Sequence, residues 1–154
     1  MQLTAFEVQH RLNALAGLPV VQKGFVCNTL LLWFGVDPKS DDAIGMTIDP
    51  PWRLVGSEGI VADSDEIPGD GPEFVAATER VDPLIGPVLV EAVICPRTHD
   101  LRLSFSDGRV LEKEIFMEEG EEDYEEWNLR LYRQDERYQV RSDSITLDTI
   151  DLRR

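Results

Sequence analysis

The chain has few cationic residues for its length, and this scarcity excludes two classes of partner. Its 154 residues include 15 lysines and arginines against 30 aspartates and glutamates, which gives a formal net charge of −15. Such a chain cannot neutralise nucleic-acid phosphates, and an anionic membrane surface would repel it. A basic protein or a cation is therefore the expected kind of partner, although the charge could also serve solubility alone.

Cysteine and long apolar runs are also nearly absent. Cys27 and Cys95 are the only cysteines, and both lie in apolar, strand-like runs, so we expect two buried thiols in a reducing compartment. The sequence alone does not exclude a disulfide. The longest apolar run, residues 30–34, is too short to cross a bilayer, and the N-terminus lacks the features of a signal peptide. These absences predict a cytoplasmic protein.

Residue patterns typical of catalytic and metal sites are missing. His10 and His99 are far apart in the sequence, and each is expected to be a surface residue. The chain has no Gly-x-Ser-x-Gly motif, no phosphate-binding glycine-rich loop and no Cys/His cluster. The residues from Asp63 onward do not fit an EF-hand calcium loop. Such a loop needs an oxygen ligand at its fifth position and glycine at its sixth, and these positions are Ile67 and Pro68. We therefore predict no catalytic residue, no cofactor and no metal.

A β-hairpin is the clearest structural signal that the sequence does contain. Leu101, Leu103 and Phe105 alternate with polar residues, which places the three apolar side chains on one face of a sheet. A two-residue turn would pair Leu103 with a glutamate. A three-residue turn over residues 106–108 pairs it with Leu111 instead, so the apolar pattern favours that turn, closed by a glycine bulge.

The segments around this hairpin predict a sheet with one helix packed on it. Thr4 and Glu7 form a capping box that begins an amphipathic N-terminal helix. Residues 88–95 are apolar on both faces apart from one glutamate, which is typical of a central strand covered on both sides. Residues 20–35 predict one long strand, or two strands broken near Gly24.

We therefore predict a single α+β domain over residues 1–154. Its sheet is mainly antiparallel, of about six to eight strands, and is either curved or a partly open barrel. The predicted core residues are Leu12, Leu15, Leu31, Trp33, Val90, Ile94, Leu103, Phe105, Leu111 and Leu129.

An acidic segment follows the hairpin and is the strongest anomaly in the sequence. Residues 112–126 contain nine acidic residues and one lysine. The segment can be a solvated loop between two strands, or an anionic patch that captures a basic protein. Glu126 is expected to belong to this solvent-facing cluster, and the following Trp127 is expected to be a core residue. The predicted partner-binding residues are Glu118, Glu119, Glu121, Glu122, Asp123, Tyr124 and Glu125.

The chain also resembles a known group of proteins. The resemblance is carried by residues 27–35 (CNTLLLWFG), 52–54 (WRL), 84–86 (LIG), 100–108 (DLRLSFSDG) and 126–127 (EW). Together they make the chain similar to a group of small uncharacterised bacterial domains, sometimes encoded as immunity or accessory proteins near toxin systems. The resemblance implies an inhibitor of a toxin, and it carries no active-site residues onto this sequence.

These observations are compatible with three functions. The first is a non-catalytic protein-binding module, in the form of an acidic immunity-type inhibitor of a basic toxin. The second is a small-ligand binder that uses the concave face of the sheet, with Trp33 or Trp52 lining an enclosed apolar pocket. The third is an enzyme in which two carboxylates converge in a cleft. An uncovered edge strand could also pair two copies of the chain.

Overall fold

A computed structural model describes residues 2–115 and 124–150 and has an α+β fold, as predicted. These described residues form two α-helices and eleven strands. The helices are α1 (Ala5–Asn13) and α2 (Gly71–Glu79). The strands are β1 (Val20–Val26), β2 (Thr29–Phe34), β3 (Ile44–Ile48), β4 (Trp52–Gly56), β5 (Gly59–Asp63), β6 (Leu89–Ile94), β7 (Leu101–Phe105), β8 (Val110–Lys113), β9 (Trp127–Leu131), β10 (Glu136–Val140) and β11 (Ile145–Asp148).

The strands divide into two antiparallel sheets that share one buried core. The six-stranded sheet has the order β1-β2-β3-β9-β10-β11, and the five-stranded sheet has the order β5-β4-β8-β7-β6. The two sheets do not close into a barrel. The antiparallel α+β fold is as predicted, but the strands form two sheets where the sequence predicted one sheet of about six to eight strands. Alternation identifies strands but does not say which of them pair.

Helix α1 confirms the predicted capping box and packs on β6. The Thr4 backbone N–H donates to Glu7 Oε2 at 2.8 Å, and the Thr4 hydroxyl accepts from the Glu7 backbone N–H. Gln9 then binds the β6 backbone twice: its Nε2 donates to the Ala92 carbonyl at 2.8 Å, and its Oε1 accepts from the Ile94 N–H at 3.0 Å. The helix thus satisfies hydrogen-bonding groups along the outer edge of this strand.

The β7–β8 hairpin has the predicted three-residue turn. Leu103 pairs with Leu111, and the Phe105 N–H donates to the Arg109 carbonyl at 2.9 Å. The Gly108 N–H donates to the Phe105 carbonyl at 3.0 Å, and Gly108 has a φ of 89°. A residue with a side chain rarely adopts this left-handed conformation, which explains the glycine at the end of the turn.

Strand β6 lies at an edge of its sheet and not at its centre, so this prediction was wrong. Val90, predicted to be in the core, is 56% exposed on it. The apolar run wrongly indicated a central strand, because α1 and the segment after it cover the side of β6 where a neighbouring strand was expected. The Gly17 N–H, for example, donates to the Leu89 carbonyl at 2.7 Å.

Residues 20–35 form the β1–β2 hairpin, and the break lies at Cys27 and Asn28 rather than near Gly24. Cys27 is exposed in that turn and Cys95 is only partly buried, so the prediction of two buried thiols was wrong; both are free. In β2 the buried side chains are Leu30, Leu32 and Phe34.

The predicted core residues Leu31 and Trp33 therefore face the other side of the sheet and are half-buried. In a run of five apolar residues, 30–34, either alternate set can face inward. The Trp33 ring is covered on the outer face by the Arg130 guanidinium, 5.2 Å from its centroid, and by the Tyr132 ring at 5.7 Å. The other predicted core residues, except Val90, are buried.

The sheet edges differ in how well they are covered. The β11 edge receives the N-terminus, where the Leu3 N–H donates to the Ile145 carbonyl at 2.8 Å. The outer edge of β5 meets no further strand or isolated bridge within residues 2–115 and 124–150. β5 is also short and carries a bulge, two features that limit pairing between chains.

Candidate protein-binding surface

The acidic segment joins the two sheets, because β8 belongs to the five-stranded sheet and β9 to the six-stranded sheet. The two ends of this connection are described, and its middle is not. Five predicted partner-binding residues lie outside the described residues: Glu118, Glu119, Glu121, Glu122 and Asp123. Tyr124 and Glu125 are within them.

A buried ion pair joins the two ends of the connection. The Lys113 Nζ donates to Glu126 Oε1 at 3.2 Å and to the Pro50 carbonyl at 3.0 Å. The Lys113 side chain is 0% exposed and that of Glu126 is 4% exposed. The interpretation of Glu126 as a solvent-facing carboxylate was therefore wrong, since a buried lysine on the neighbouring sheet requires an anion.

The sequence did contain a signal for this lysine. The register that pairs Leu103 with Leu111 also pairs Leu101 with Lys113, so Lys113 shares the apolar face of the hairpin. Burial lowers the pKa of Lys113, and the Glu126 carboxylate opposes that shift. The carboxylates of Asp49 and Asp100 act in the same direction as Glu126. The ammonium is thus held in a buried site by nearby anions.

Backbone contacts hold both ends of the connection beside this pair. On the β8 side, the Ile115 N–H donates to Asp100 Oδ1 at 2.7 Å. On the β9 side, the Asp49 N–H donates to the Glu126 carbonyl at 3.0 Å, and Trp127 Nε1 donates to the His99 carbonyl at 2.9 Å. Trp127 is buried, as predicted. The residues that enter and leave the acidic segment therefore have fixed positions.

Tyr124 and Glu125 differ from Glu126 in lying at the surface. Tyr124 is 49% exposed. Both carboxylate oxygens of Glu125 accept from the Arg137 Nη2, at 3.1 and 3.0 Å. This exposed pair neutralises one charge of the predicted patch. A half-exposed tyrosine beside a run of acids is a typical contact residue in protein interfaces.

A groove with four carboxylates lies on the outer face of the five-stranded sheet, next to the end of β8. Sequence reasoning missed it, because its residues come from β4, β5 and β8 and from the turn after β5. We call it the acidic groove; it has a volume of about 160 Å³. It is lined by Pro51, Trp52, Arg53, Asp63, Asp65, Glu112 and Glu114.

Arg53 is the one cation among the residues that line the acidic groove. Its Nη2 lies 3.1 Å from Glu112 Oε2 and 3.8 Å from Glu114 Oε1. Hydrogen bonding to Glu112 raises the pKa of Arg53. Because one guanidinium faces four carboxylates, the groove keeps a negative charge and extends the acidic surface beyond the connection itself.

A second cleft of about 250 Å³ on the same face includes Cys95, Arg102 and Glu112. A hydrogen bond from the Thr98 side chain lowers the pKa of Cys95, with help from the backbone N–H groups of Thr98 and Arg97. The partly exposed thiol therefore holds more thiolate at neutral pH than an ordinary cysteine.

The two histidines lie in separate places. His10 is exposed on α1, as predicted. His99 has a φ of 65° and its Nδ1 lies 2.7 Å from the Arg141 carbonyl oxygen, so its ring is partly buried at a turn. Within the described part of the chain, no group of three or more His, Cys, Asp or Glu side chains could hold a metal ion.

The two tryptophans named for a ligand pocket lie on different faces. Trp52 is buried in the core, where its Nε1 donates to the Asn28 carbonyl at 2.8 Å and its ring lies 6.1 Å from that of Phe25. Trp33 lies on the outer face of the six-stranded sheet, against Arg130. The structure thus does not bring them together around one cavity.

No family model, curated protein or solved structure matches this chain. Among the described residues, neither helix has the length and apolar character needed to span a membrane.

Proposed function

We propose that this protein is a non-catalytic binding protein that captures a basic protein partner on its acidic surface. One observation carries the proposal: the acidic connection starts and ends at the buried Lys113–Glu126 pair, while Glu112 and Glu114 face outward into the acidic groove. The fold thus fixes both ends of an anionic segment beside a second cluster of carboxylates. A partner with a basic surface would meet both at once.

The charge arrangement supports capture through electrostatic steering. The segment over residues 112–126 has nine acidic residues and one lysine, and that lysine is enclosed with a glutamate. Anionic surfaces of this kind raise the association rate of a complementary partner by about 10-fold to 1,000-fold at low salt. Binding should therefore weaken steeply as the ionic strength increases.

The environment of Lys113 supports a structural and non-catalytic role for this lysine. A lysine with a lowered pKa is a common catalytic group, but a nucleophile must reach its substrate. The Lys113 side chain is 0% exposed, and its Nζ is bound to Glu126 and to the Pro50 carbonyl. Its charge therefore acts on the structure and not on a substrate.

The resemblance to bacterial immunity-type domains refines the proposal to a cytoplasmic inhibitor of a basic toxin. The anionic surface of this protein is complementary to a positively charged surface on such a toxin. We also propose that a homodimer, if the protein forms one, pairs two copies through a sheet edge. β5 is the described edge with the least cover.

Charge reversal in the connection tests the proposal. The triple variant Glu121→Lys, Glu122→Lys, Asp123→Lys should lower the association rate with a basic probe protein, cytochrome c, by about 10-fold or more at low salt. The matched control is Glu79→Lys, Asp41→Lys, Asp143→Lys, which makes the same change of charge at three exposed positions elsewhere. Stopped-flow fluorescence at several salt concentrations measures the rates.

The two variants separate local capture from net charge. A much larger loss in the connection variant than in the control supports the proposed surface. Equal losses would mean that only the net charge of the protein matters, and unchanged association in the connection variant would overturn the proposal.

A further inference from the structure

A groove that shares no lining residue with the acidic groove includes Glu136, whose carboxylate has an unsatisfied oxygen. It lies between α1 and the strands β10 and β11 and has a volume of about 410 Å³. We call it the helix groove. It is lined by Leu3, Phe6, Glu7, His10, Arg11, Glu136, Tyr138 and Leu147.

The polar wall of the helix groove is built from three connected side chains. Arg11 Nε donates to the Tyr138 hydroxyl at 2.9 Å, and this hydroxyl donates to Glu136 Oε2 at 3.0 Å. Arg11 Nη2 also lies 3.6 Å from Glu136 Oε2. Two of these contacts are made to Glu136 Oε2, and the third joins Arg11 to Tyr138. Together they fix the orientation of the Glu136 side chain.

The other oxygen, Glu136 Oε1, has no hydrogen-bond partner although it is buried. It is the one such side-chain atom among the residues that the structure describes. Burying an unsatisfied acceptor costs free energy, and a charged acceptor costs more than a neutral one. The residue that carries this oxygen lines the helix groove, so a hydrogen-bond donor bound in the groove lies next to its carboxylate.

The apolar wall of the helix groove is also unusual. Phe6 lies on α1 and is 82% exposed, the highest value among the exposed large apolar residues of the described chain. Leu3 and Leu147 line the same groove. Apolar and aromatic side chains that line a groove are a common feature of small-molecule binding sites.

The charges of the groove determine the kind of ligand. Glu7 and Glu136 are anionic and Arg11 is cationic, so the carboxylates and the guanidinium of the groove wall leave one negative charge uncompensated. A monocation with an apolar body would neutralise it, pair with the Glu136 carboxylate and place its body against Phe6. The volume of about 410 Å³ is within the range of small-molecule sites.

We propose that the helix groove binds a small organic amine, whose ammonium group pairs with the Glu136 carboxylate and whose apolar body packs on Phe6. The same ammonium chemistry occurs in a lysine side chain of another protein. This site is separate from the acidic groove and does not depend on the proposed function. The free amine and the lysine side chain are distinguished by the probes described next.

NMR titration of the full chain with phenethylamine tests the proposal. Amide signals of α1 and β10 should shift, and 2-phenylethanol, which has the same body without the charge, should bind about 10-fold or more weakly. Glu136→Gln should weaken phenethylamine binding by about 10-fold to 100-fold, since it removes the charge and keeps the shape of the side chain. Phe6→Ala should weaken it by about threefold.

Control variants separate the helix groove from general attraction to an acidic protein. Glu114→Gln removes a carboxylate of the acidic groove, and Val75→Ala truncates an exposed apolar residue on α2; both should leave the dissociation constant unchanged. A capped lysine, N-acetyl-lysine methylamide, identifies the source of the ammonium: tighter binding than phenethylamine indicates a protein side chain, and weaker binding a free amine.

The proposal is overturned by any of three results. The first is equal binding of phenethylamine and 2-phenylethanol. The second is a dissociation constant that Glu136→Gln leaves unchanged, in a variant whose unperturbed spectrum shows that it is folded. The third is a set of shifted signals confined to the acidic groove.

Discussion

Glu125 and Glu126 are consecutive in the chain, but the fold places their carboxylates in opposite environments. The side chain of Glu126 is 4% exposed and that of its partner Lys113 is 0% exposed. The side chain of Glu125 is 26% exposed and that of its partner Arg137 is 36% exposed. The interior and the surface of the molecule therefore use the same kind of ion pair under different dielectric conditions.

This difference determines what each pair contributes. A buried pair must offset the loss of hydration of both ions, so its presence adds little stability, while loss of one partner is costly. A surface pair is screened by water and salt, and it costs little to form or to remove. The buried pair fixes where the acidic connection begins and ends, and in the proposed function the other carboxylates attract the basic partner.

The largest expected effect comes from breaking the buried pair on one side. Glu126→Leu should lower the free energy of unfolding by about 3–5 kcal/mol, because it leaves the Lys113 ammonium buried without its anion. The double variant Lys113→Met, Glu126→Leu should recover most of that loss. Urea denaturation followed by tryptophan fluorescence measures both. A double variant that is no more stable than the single one would show that packing around Glu126 matters more than its charge.

The pH dependence of the single variant gives a second test of the buried pair. Burial already lowers the pKa of Lys113, and Glu126 is the largest opposing influence, so its removal should lower that pKa further. Above the lowered pKa, and up to about 10.4, the unfolded state binds more protons than the folded state. The free energy of unfolding of Glu126→Leu should therefore increase from neutral to alkaline pH, relative to the double variant, which lacks this lysine.

The surface pair should show a much smaller effect. Glu125→Gln and Arg137→Gln should each change the free energy of unfolding by about 0.2–1 kcal/mol, and the effect should decrease in high salt. A double-mutant cycle isolates the energy of the pair from other changes. A coupling energy as large as that of Lys113 and Glu126 would remove the distinction between surface and interior.

The smallest effect concerns a surface group whose pKa is lowered by hydrogen bonds and not by burial. Thr98→Val should raise the pKa of Cys95, because the Thr98 hydrogen bond is the largest cause of its lowered value. The rate of alkylation by iodoacetamide, measured against pH in a Cys27→Ser background, should then have a higher midpoint. An unchanged midpoint would mean that the backbone N–H groups alone set this pKa.

Local patterns predicted the α+β class, the capping box of α1 and the turn and register of the β7–β8 hairpin. Each of these depends on residues close together in the chain. Gly108 and the alternation around Leu103 were sufficient for the hairpin. The same register placed Lys113 on the apolar face, so the buried lysine was also within reach of the sequence.

The missed features depend on which segments meet. Leu31 and Leu32 are equally apolar, and only the neighbouring strand and the Arg130–Trp33 contact decide which faces the core. Val90 was expected in the core because no local pattern distinguishes a strand covered by another strand from one covered by a helix. The acidic groove and the helix groove combine residues from distant segments, and neither has a sequence motif.

The sequence by itself determined the charge of this protein, the strand-rich α+β class and the local geometry of its cap and its hairpin turn, because these depend on composition and on neighbouring residues. The tertiary structure alone decided the division into two sheets, the choice of Glu126 rather than Glu125 as the anion for Lys113, and the orientation of Glu136 in its groove. Those outcomes depend on burial, and the burial of a charge is defined only once distant segments have packed together.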